Sequence, residues 1–305
     1  MRTFFKKYPK MILFLSLMVL LCGAYGIYML NYNKKNADNQ SVYDSLNETA
    51  WEEVSEDTAK DKVDKEDIES ISKEQTTEVE AIDPEKKKFL DECGAPEYYE
   101  TYLNKVPDMS EYLELNEDVV GYLLIPDTMI SYPILQHATD NSFYLEHNID
   151  GSKGYPGCIY IENCNQDNFS DPLTVIYGHN MKNNTMFGAL DEYKEEEYRE
   201  DHRYIFIYTS DQIKIYQVVV CSVYDDEHLL AHDFYKDEEG NWLFGGTSPD
   251  DQVQVYNKLK DFKAWNAYFD EEGLLEDDKC IALATCSGEG KRFIVLARNI
   301  VNIDY

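Results

Sequence analysis

Positive charge is scarce in this sequence of 305 residues: 28 Lys and Arg stand against 59 Asp and Glu, a formal net charge of -31. Neutralising a phosphate backbone takes clustered basic side chains, so this balance excludes a nucleic-acid partner. Regular cysteine spacing is missing as well. The seven cysteines are scattered, and a domain of this size has core enough to do without covalent staples. Cys93, Cys158, Cys164, Cys221 and Cys280 are therefore expected as free thiols; if Cys286 is a working thiol, the remaining five cannot all pair. From Asp38 to about Glu85 the chain is acidic, poor in aromatics and without a sustained apolar period. Such a stretch cannot bury enough surface to offset the entropy of ordering it, and a solvated, disordered spacer with transient helix at most is expected.

One long apolar run is present. Residues 11–30, MILFLSLMVLLCGAYGIYML, carry no charge and reach the ~20 residues that a membrane-crossing helix needs. Arg2, Lys6, Lys7 and Lys10 precede the run, so the positive-inside bias keeps the N-terminus in the cytoplasm. A cleaved signal peptide has the same basic start, and Cys22 suggests lipoprotein processing, but the run exceeds the ~7–15 residues of a signal-peptide apolar core. The expected organisation is a cytoplasmic N-terminus at 1–10, an uncleaved transmembrane anchor at 11–30, the acidic spacer at 31–85, and one folded domain at 86–305 outside the cell membrane.

Within that domain, residues 86–115 carry helical signals, and the pattern then turns to strands. VVGYLLIPDTMISYPILQ, GCIYIEN, LTVIYGHN, YIFIYT, QIKIYQVVVCSVY, KCIALATC and RFIVLARNI are short aromatic and branched runs separated by turn residues. Many short strands of this kind indicate a mainly β barrel or sandwich. Two helices interrupt it. One, over 183–201, has Met186, Phe187 and Leu190 on its apolar side; the other, over 248–269, has Ser248 as its cap and Val253, Tyr256, Leu259 and Phe262 at helical spacing.

Three side chains suit acyl transfer. Cys286 ends an apolar strand before a loop with Gly288 and Gly290; a free thiol is only a few per cent ionised at neutral pH and needs a base or cation beside it to be a nucleophile. His179 leaves another strand and exchanges a proton near neutral pH. Arg292, across the loop from Cys286, offers a permanent charge for a thiolate or an oxyanion. Taken one at a time, the same residue types are more often a buried thiol, a turn histidine bonded to backbone and a solvated strand-end charge. His228 and His232 have the i, i+4 spacing of a metal pair on a helix, but no third ligand is evident and no metal or cofactor is expected. His137, His147 and His202 read as surface or packing residues.

GYLLIPDTMISYPILQ, DNSFYLEHN, TVIYGHNMKNNTMFGAL and ALATCSGEGKRFIVLARNI, in this order and spacing, resemble the sortases, cysteine transpeptidases of Gram-positive bacteria, and in particular class B. The resemblance runs from about residue 86 to the C-terminus. It implies a closed eight-stranded β-barrel with N-terminal helices and a helix inserted before the last two strands. It implies Cys286 as nucleophile, His179 as proton-transfer residue and Arg292 near the scissile carbonyl, with Asn141, Leu145 and Thr285 lining the substrate groove. The implied partners are secreted proteins bearing a C-terminal sorting signal, cut after Thr via a thioester, and an amine of a peptidoglycan precursor or cross-bridge. Water as acceptor, pilin polymerisation, and an inactive barrel that acts as a surface binding protein stay open as alternatives. Two departures stand out: Ala282 where the family's Thr-Leu-x-Thr-Cys pattern has its first Thr, and YIENCNQDN without the arginine often seen there.

Overall fold

The structure, a computed structural model, describes residues 9–53, 84–225, 228–230, 234–236, 242–244, 247–286 and 290–304. The chain divides into two compact units, Met1–Ser45 and Leu46–Tyr305.

The apolar run lies in a helix, Pro9–Ala50, that continues well past residue 30. Among the described residues no helix is long and apolar enough to cross a membrane. The helical extension takes up the first part of the expected spacer. Propagating a helix from a formed turn costs far less than starting one, and side chains one turn apart reinforce it, as where Gln40 Nε2 donates to Asp44 Oδ1 at 2.9 Å. In the second unit, β1 (Trp51–Glu53) then pairs antiparallel with β2 (Lys105–Pro107). Trp51 sits edge-on to Tyr122 and Tyr208 at 5.6 and 5.5 Å. Residues 31–53 are thus helix and strand rather than solvated coil; residues 54–83 lie outside the described set.

The remaining strands are β3 (Val119–Leu124), β4 (Ser131–Leu135), β5 (Ile159–Ile161), β6 (Leu173–Tyr177), β7 (Tyr204–Tyr208), β8 (Gln212–Asp225), β9 (Phe234–Lys236), β10 (Trp242–Phe244), β11 (Tyr268–Phe269), β12 (Cys280–Cys286) and β13 (Lys291–Asp304). Their order is β8-β13-β12-β6-β5-β4-β3-β7, and β7 pairs back onto β8 to close a barrel of eight strands, with β11 added on the other edge of β8. Closure leaves the barrel without an open edge. The β4–β5 and β6–β12 pairs are parallel and the rest antiparallel, so the sheet is mixed. Two register shifts, at Leu296/Ala297 and Asn299/Val301, let β13 stay paired with β8 along fourteen residues; such bulges supply the bend that a long antiparallel pair needs on a barrel wall. β6 and β7 are buried at every position, and Leu283, Ile294, Val295 and Phe206 pack fully inside.

Helices Pro84–Glu92, Pro96–Leu103 and Ser110–Leu115 precede the barrel. Phe89 and Tyr99 pack against Tyr204 of β7 at 5.1 and 5.3 Å. Met186, Phe187 and Leu190 are buried as expected, beside a 3-10 helix at Gly188–Lys194 and an α-helix at Glu196–Asp201. The inserted helix is Asp251–Phe262, before the last two long strands, but its buried face is Asp251, Gln252, Val255 and Leu259. Of the expected stripe only Leu259 is buried. Two polar residues take inward positions with hydrogen bonds: Asp251 Oδ2 accepts the Ser248 N–H at 2.7 Å and Gln252 Nε2 donates to the Glu276 carbonyl at 2.7 Å, while Gln252 Oε1 has no partner among the described residues.

Cys93, Cys158, Cys164, Cys221 and Cys280 are free thiols. Burial pushes the Cys221 and Cys280 thiols well up; Cys164 is raised by burial and by the neighbouring Glu162. Thiols so raised stay protonated and unreactive.

Leu283 sits midway along β12 with no exposed surface. Leu283→Ala is expected to lower stability by about 3 kcal/mol through lost burial and the cavity left behind, read as a fall in the urea midpoint at unchanged slope; a change under about 0.5 kcal/mol would show that this strand is not packed as described.

Candidate active site at one end of three adjacent strands

β12 carries the site because its neighbours run in opposite senses. On one edge the antiparallel register puts Cys286 opposite Arg292 of β13. On the other the parallel register puts Ala284 opposite Tyr177 of β6, and Gly178 N–H still donates to the Ala284 carbonyl at 3.3 Å. Continued two residues beyond the Ala284–Tyr177 pair, that line brings His179 level with Cys286. The three backbone positions singled out in the sequence therefore meet at one end of β6, β12 and β13.

His179 is held by its main chain and by its ring. Phe187 N–H donates to the His179 carbonyl at 2.9 Å. The ring's Nε2 lies 2.8 Å from the Leu145 carbonyl oxygen, which can only accept, so Nε2 carries a proton and the neutral ring presents its lone pair at Nδ1. Burial lowers the His179 pKa, and the Leu145 bond and the Glu146 charge oppose that shift. A neutral imidazole is consequently the resting form at neutral pH.

The acceptor carbonyl is fixed in turn. Leu145 belongs to the helical turn Phe143–Glu146, and Gly157 packs against it with φ +71; a Cβ there would lie 2.3 Å from the Tyr144 oxygen and 2.8 Å from the Leu145 oxygen. Only glycine fits. Leu145, Glu146, Lys153, Gly154, Tyr155 and His179 line a cavity of about 310 Å³. The Tyr155 ring stands 4.7 Å from the imidazole, and an exposed Glu146–Lys153 pair at 2.9 Å marks the rim. Lys153 pulls the Glu146 carboxyl below its ordinary value.

Arg292 lies with its guanidinium carbon 5.6 Å from the centre of the Tyr177 ring, a cation–π geometry. Its Nε is buried and has no hydrogen-bond partner among the described residues.

The other expected groove residues divide. Leu145 lines the cavity and supplies the carbonyl that orients His179. The Asn141 carboxamide oxygen accepts the Asn163 N–H at 2.7 Å, bracing the turn after β5. The Thr285 side chain is 2% exposed and its hydroxyl oxygen has no partner among the described residues; strand alternation puts it on the face opposite Ala284. His232 lies outside the described residues. His228 is in a turn beyond β8, and its Nε2 bonds Glu162. Glu162 and Tyr155 were not singled out by sequence, and His228 was weighed only as half of a metal pair; a carboxylate inside the apolar run CIYIEN was the available signal for Glu162. His137, His147 and His202 are packing residues, the first two stacked on Phe143 and the third bonded to the Pro126 carbonyl.

Residues 123–300, more than half of the chain, match the family model of the sortase domain. Sortase B of Listeria monocytogenes is 34% identical over 182 residues, which cover 60% of this chain and 68% of that protein. A crystal structure of sortase B from Bacillus anthracis shares 25% identity with a TM-score of 0.50 and covers 64% of this chain and 86% of its own. The Staphylococcus aureus sortase B–substrate complex is similar in fold, with 21% identity and a TM-score of 0.52 over 70% of this chain and 94% of that one.

A histidine whose folded pKa is depressed below its unfolded value of ~6.5 makes no contribution to stability above that value, and stability is lost on acidification because the unfolded chain takes the proton first. In an NMR titration His179 is expected to titrate below ~6.5, and His179→Gln is expected to lose less stability than the parent between pH 7 and 5. A His179 midpoint above 6.5 would contradict the burial described.

Proposed function

We propose a specific reaction for this chain, which belongs to the sortase family and is a class B cysteine transpeptidase: it cleaves the C-terminal sorting signal of secreted proteins after Thr, through a thioester on Cys286, and transfers the acyl group to a cell-wall amine. The observation that supports it is the register that sets Cys286 opposite Arg292 and Ala284 opposite Tyr177, two residues before His179.

The Cys286 thiolate attacks the Thr carbonyl carbon, and the carbonyl electron pair moves to oxygen. Arg292 faces that oxyanion; its buried Nε–H, with no partner among the described residues, is a donor in waiting. His179, protonated at Nδ1 as the thiol ionises, gives that proton to the leaving amine as the C–N bond breaks. An incoming amine then attacks the thioester, His179 takes its proton, and the thiolate leaves. With the His179 pKa lowered by burial, the thiolate–imidazolium form is a minor species at rest, and binding of the peptide in the cavity beside the imidazole favours it by excluding water.

Anchoring in the cell membrane, with the N-terminus cytoplasmic and the barrel outside, is part of the same proposal. Its support is the uncharged run 11–30 behind Arg2, Lys6, Lys7 and Lys10, with Phe14, Leu17, Leu21 and Leu30 among its exposed apolar side chains.

Incubated with a sorting peptide and an amine, the protein is expected to give the amine adduct by mass spectrometry. Cys286→Ala should form no thioester, and His179→Ala and Arg292→Ala should each lose about 10²–10³-fold in turnover. Normal transfer by Cys286→Ala, or hydrolysis alone at saturating amine, would overturn the proposal. The full chain should remain in the membrane fraction after alkaline carbonate extraction and a chain starting at residue 31 should not; release of the full chain would refute the anchor.

A further inference from the structure

Behind Arg292 lies a polar cluster that the proposed reaction does not use. Glu162, which follows the last residue of β5, is 2% exposed. Its Oε1 accepts the Tyr177 hydroxyl at 2.7 Å and also the His228 Nε2; its Oε2 accepts the Cys164 thiol at 3.5 Å. The Leu230 N–H donates to His228 Nδ1 at 3.1 Å, so Nδ1 carries the lone pair, the ring proton sits on Nε2, and His228 reaches Glu162 as a neutral donor. Both carboxyl oxygens are thus occupied by neutral donors, the arrangement that suits a buried carboxylate. Among the described residues the cation set over the Tyr177 ring is the Arg292 guanidinium, its carbon 5.6 Å from the ring centre.

An arginine needed for an oxyanion has to be held without spending its N–H donors. A carboxylate bonded directly to the guanidinium would occupy them; an aromatic face attracts the charge and leaves them free. Tyr177 provides that face, and its hydroxyl, donating to a carboxylate in a low-dielectric setting, makes the ring more electron-rich. Burial and the Glu162 charge raise the Tyr177 pKa well above its ordinary value, so the phenol keeps the proton it donates. Tyr177 also ends β6 two residues before His179. Asn141 and Gln136 brace the Glu162 turn: Asn141 takes the Asn163 N–H at 2.7 Å, and Gln136 Nε2 donates to the carbonyls of Glu162 and Asn165 at 2.7 and 2.8 Å.

We infer that Glu162, with His228 as its second donor, is a positioning residue that acts through Tyr177 on Arg292, holding the guanidinium by an aromatic face so that its N–H groups remain available to the reacting carbonyl. This rests on the role proposed for Arg292 above.

The test is a double-mutant cycle on amine transfer. Glu162→Gln and Tyr177→Phe are each expected to lower kcat about tenfold with KM within about twofold, and in an Arg292→Ala background either change should cost less than about twofold more. A second tenfold loss in that background, or an unchanged kcat in the single variants, would overturn the inference; a merely structural role gives additive losses. Should Glu162→Gln fail to fold, Tyr177→Phe, which keeps the ring, carries the cycle alone. A parent protein with no transfer activity, or an Arg292→Ala variant with no loss, would sink the proposed function instead. In that event the Arg292 Nε–H resonance decides: it shifts in Tyr177→Phe if the phenol tunes the contact, and an unmoved signal refutes it.

Discussion

Everything at this site depends on β12 being gripped in register along both edges. The pairs Cys286–Arg292 and Ala284–Tyr177 belong to strands far apart in the chain, and a slip of one residue on either side would turn the side chains of that strand to the opposite face. Parallel pairing on one edge and antiparallel on the other has a geometric consequence. The end of β6, the end of β12 and the start of β13 gather at the same rim, so three chain segments deliver one residue each without a long loop between them. The barrel supplies the grip, because closure by β7 on β8 leaves no edge at which that register could drift.

The eight strands of the barrel were legible because their signal is local. A period-two or continuously apolar run such as YIFIY or LTVIY declares itself without knowledge of its partner. Pairing order is not local, and only the resemblance of the Cys and His segments to a known family pointed to a closed barrel. The inserted helix shows the limit of the same signal. Its position was readable but its phase was not, since Asp251 and Gln252 face inward on hydrogen bonds to Ser248 and Glu276, and an apolar count assigns polar residues to the outside. Residues 31–50 show the converse error: composition alone marked them as coil, whereas helix already formed upstream propagates through them.

Within the site, positions were legible and supports were not. Cys286, His179 and Arg292 stand out because each is a reactive type at a strand end. Asn141 and Leu145 were placed at the groove, but what their atoms do could not be read: one braces the turn that carries Glu162, and the other contributes a main-chain carbonyl to His179. Main-chain groups have no sequence signature, so any orientation they impose is invisible until the backbone is known. The cysteines divide by the same logic. Cys221 and Cys280 lie in strands like Cys286, yet burial raises both thiols, whereas Cys286 stands at the last position of β12.

That main-chain carbonyl makes the tautomer of His179 independent of the side chain at 145. A substitution at Leu145 changes the wall of the cavity but not the oxygen that accepts from Nε2, so substrate preference can change while the tautomer of His179 stays the same. What the arrangement does require is the glycine behind it. At φ +71, with the Tyr144 and Leu145 oxygens inside the volume of a Cβ, position 157 permits no side chain without moving the acceptor. Ala282, in place of a threonine four residues before Cys286, is fully buried on β12 opposite Leu296, and its methyl group adds packing where a hydroxyl would need a partner. The missing arginine after β5 has a counterpart in the same terms: here the turn is closed by Asn141, Gln136 and the buried Glu162. The turn behind Tyr177 thus carries a buried carboxyl group that accepts the Tyr177 hydroxyl at 2.7 Å.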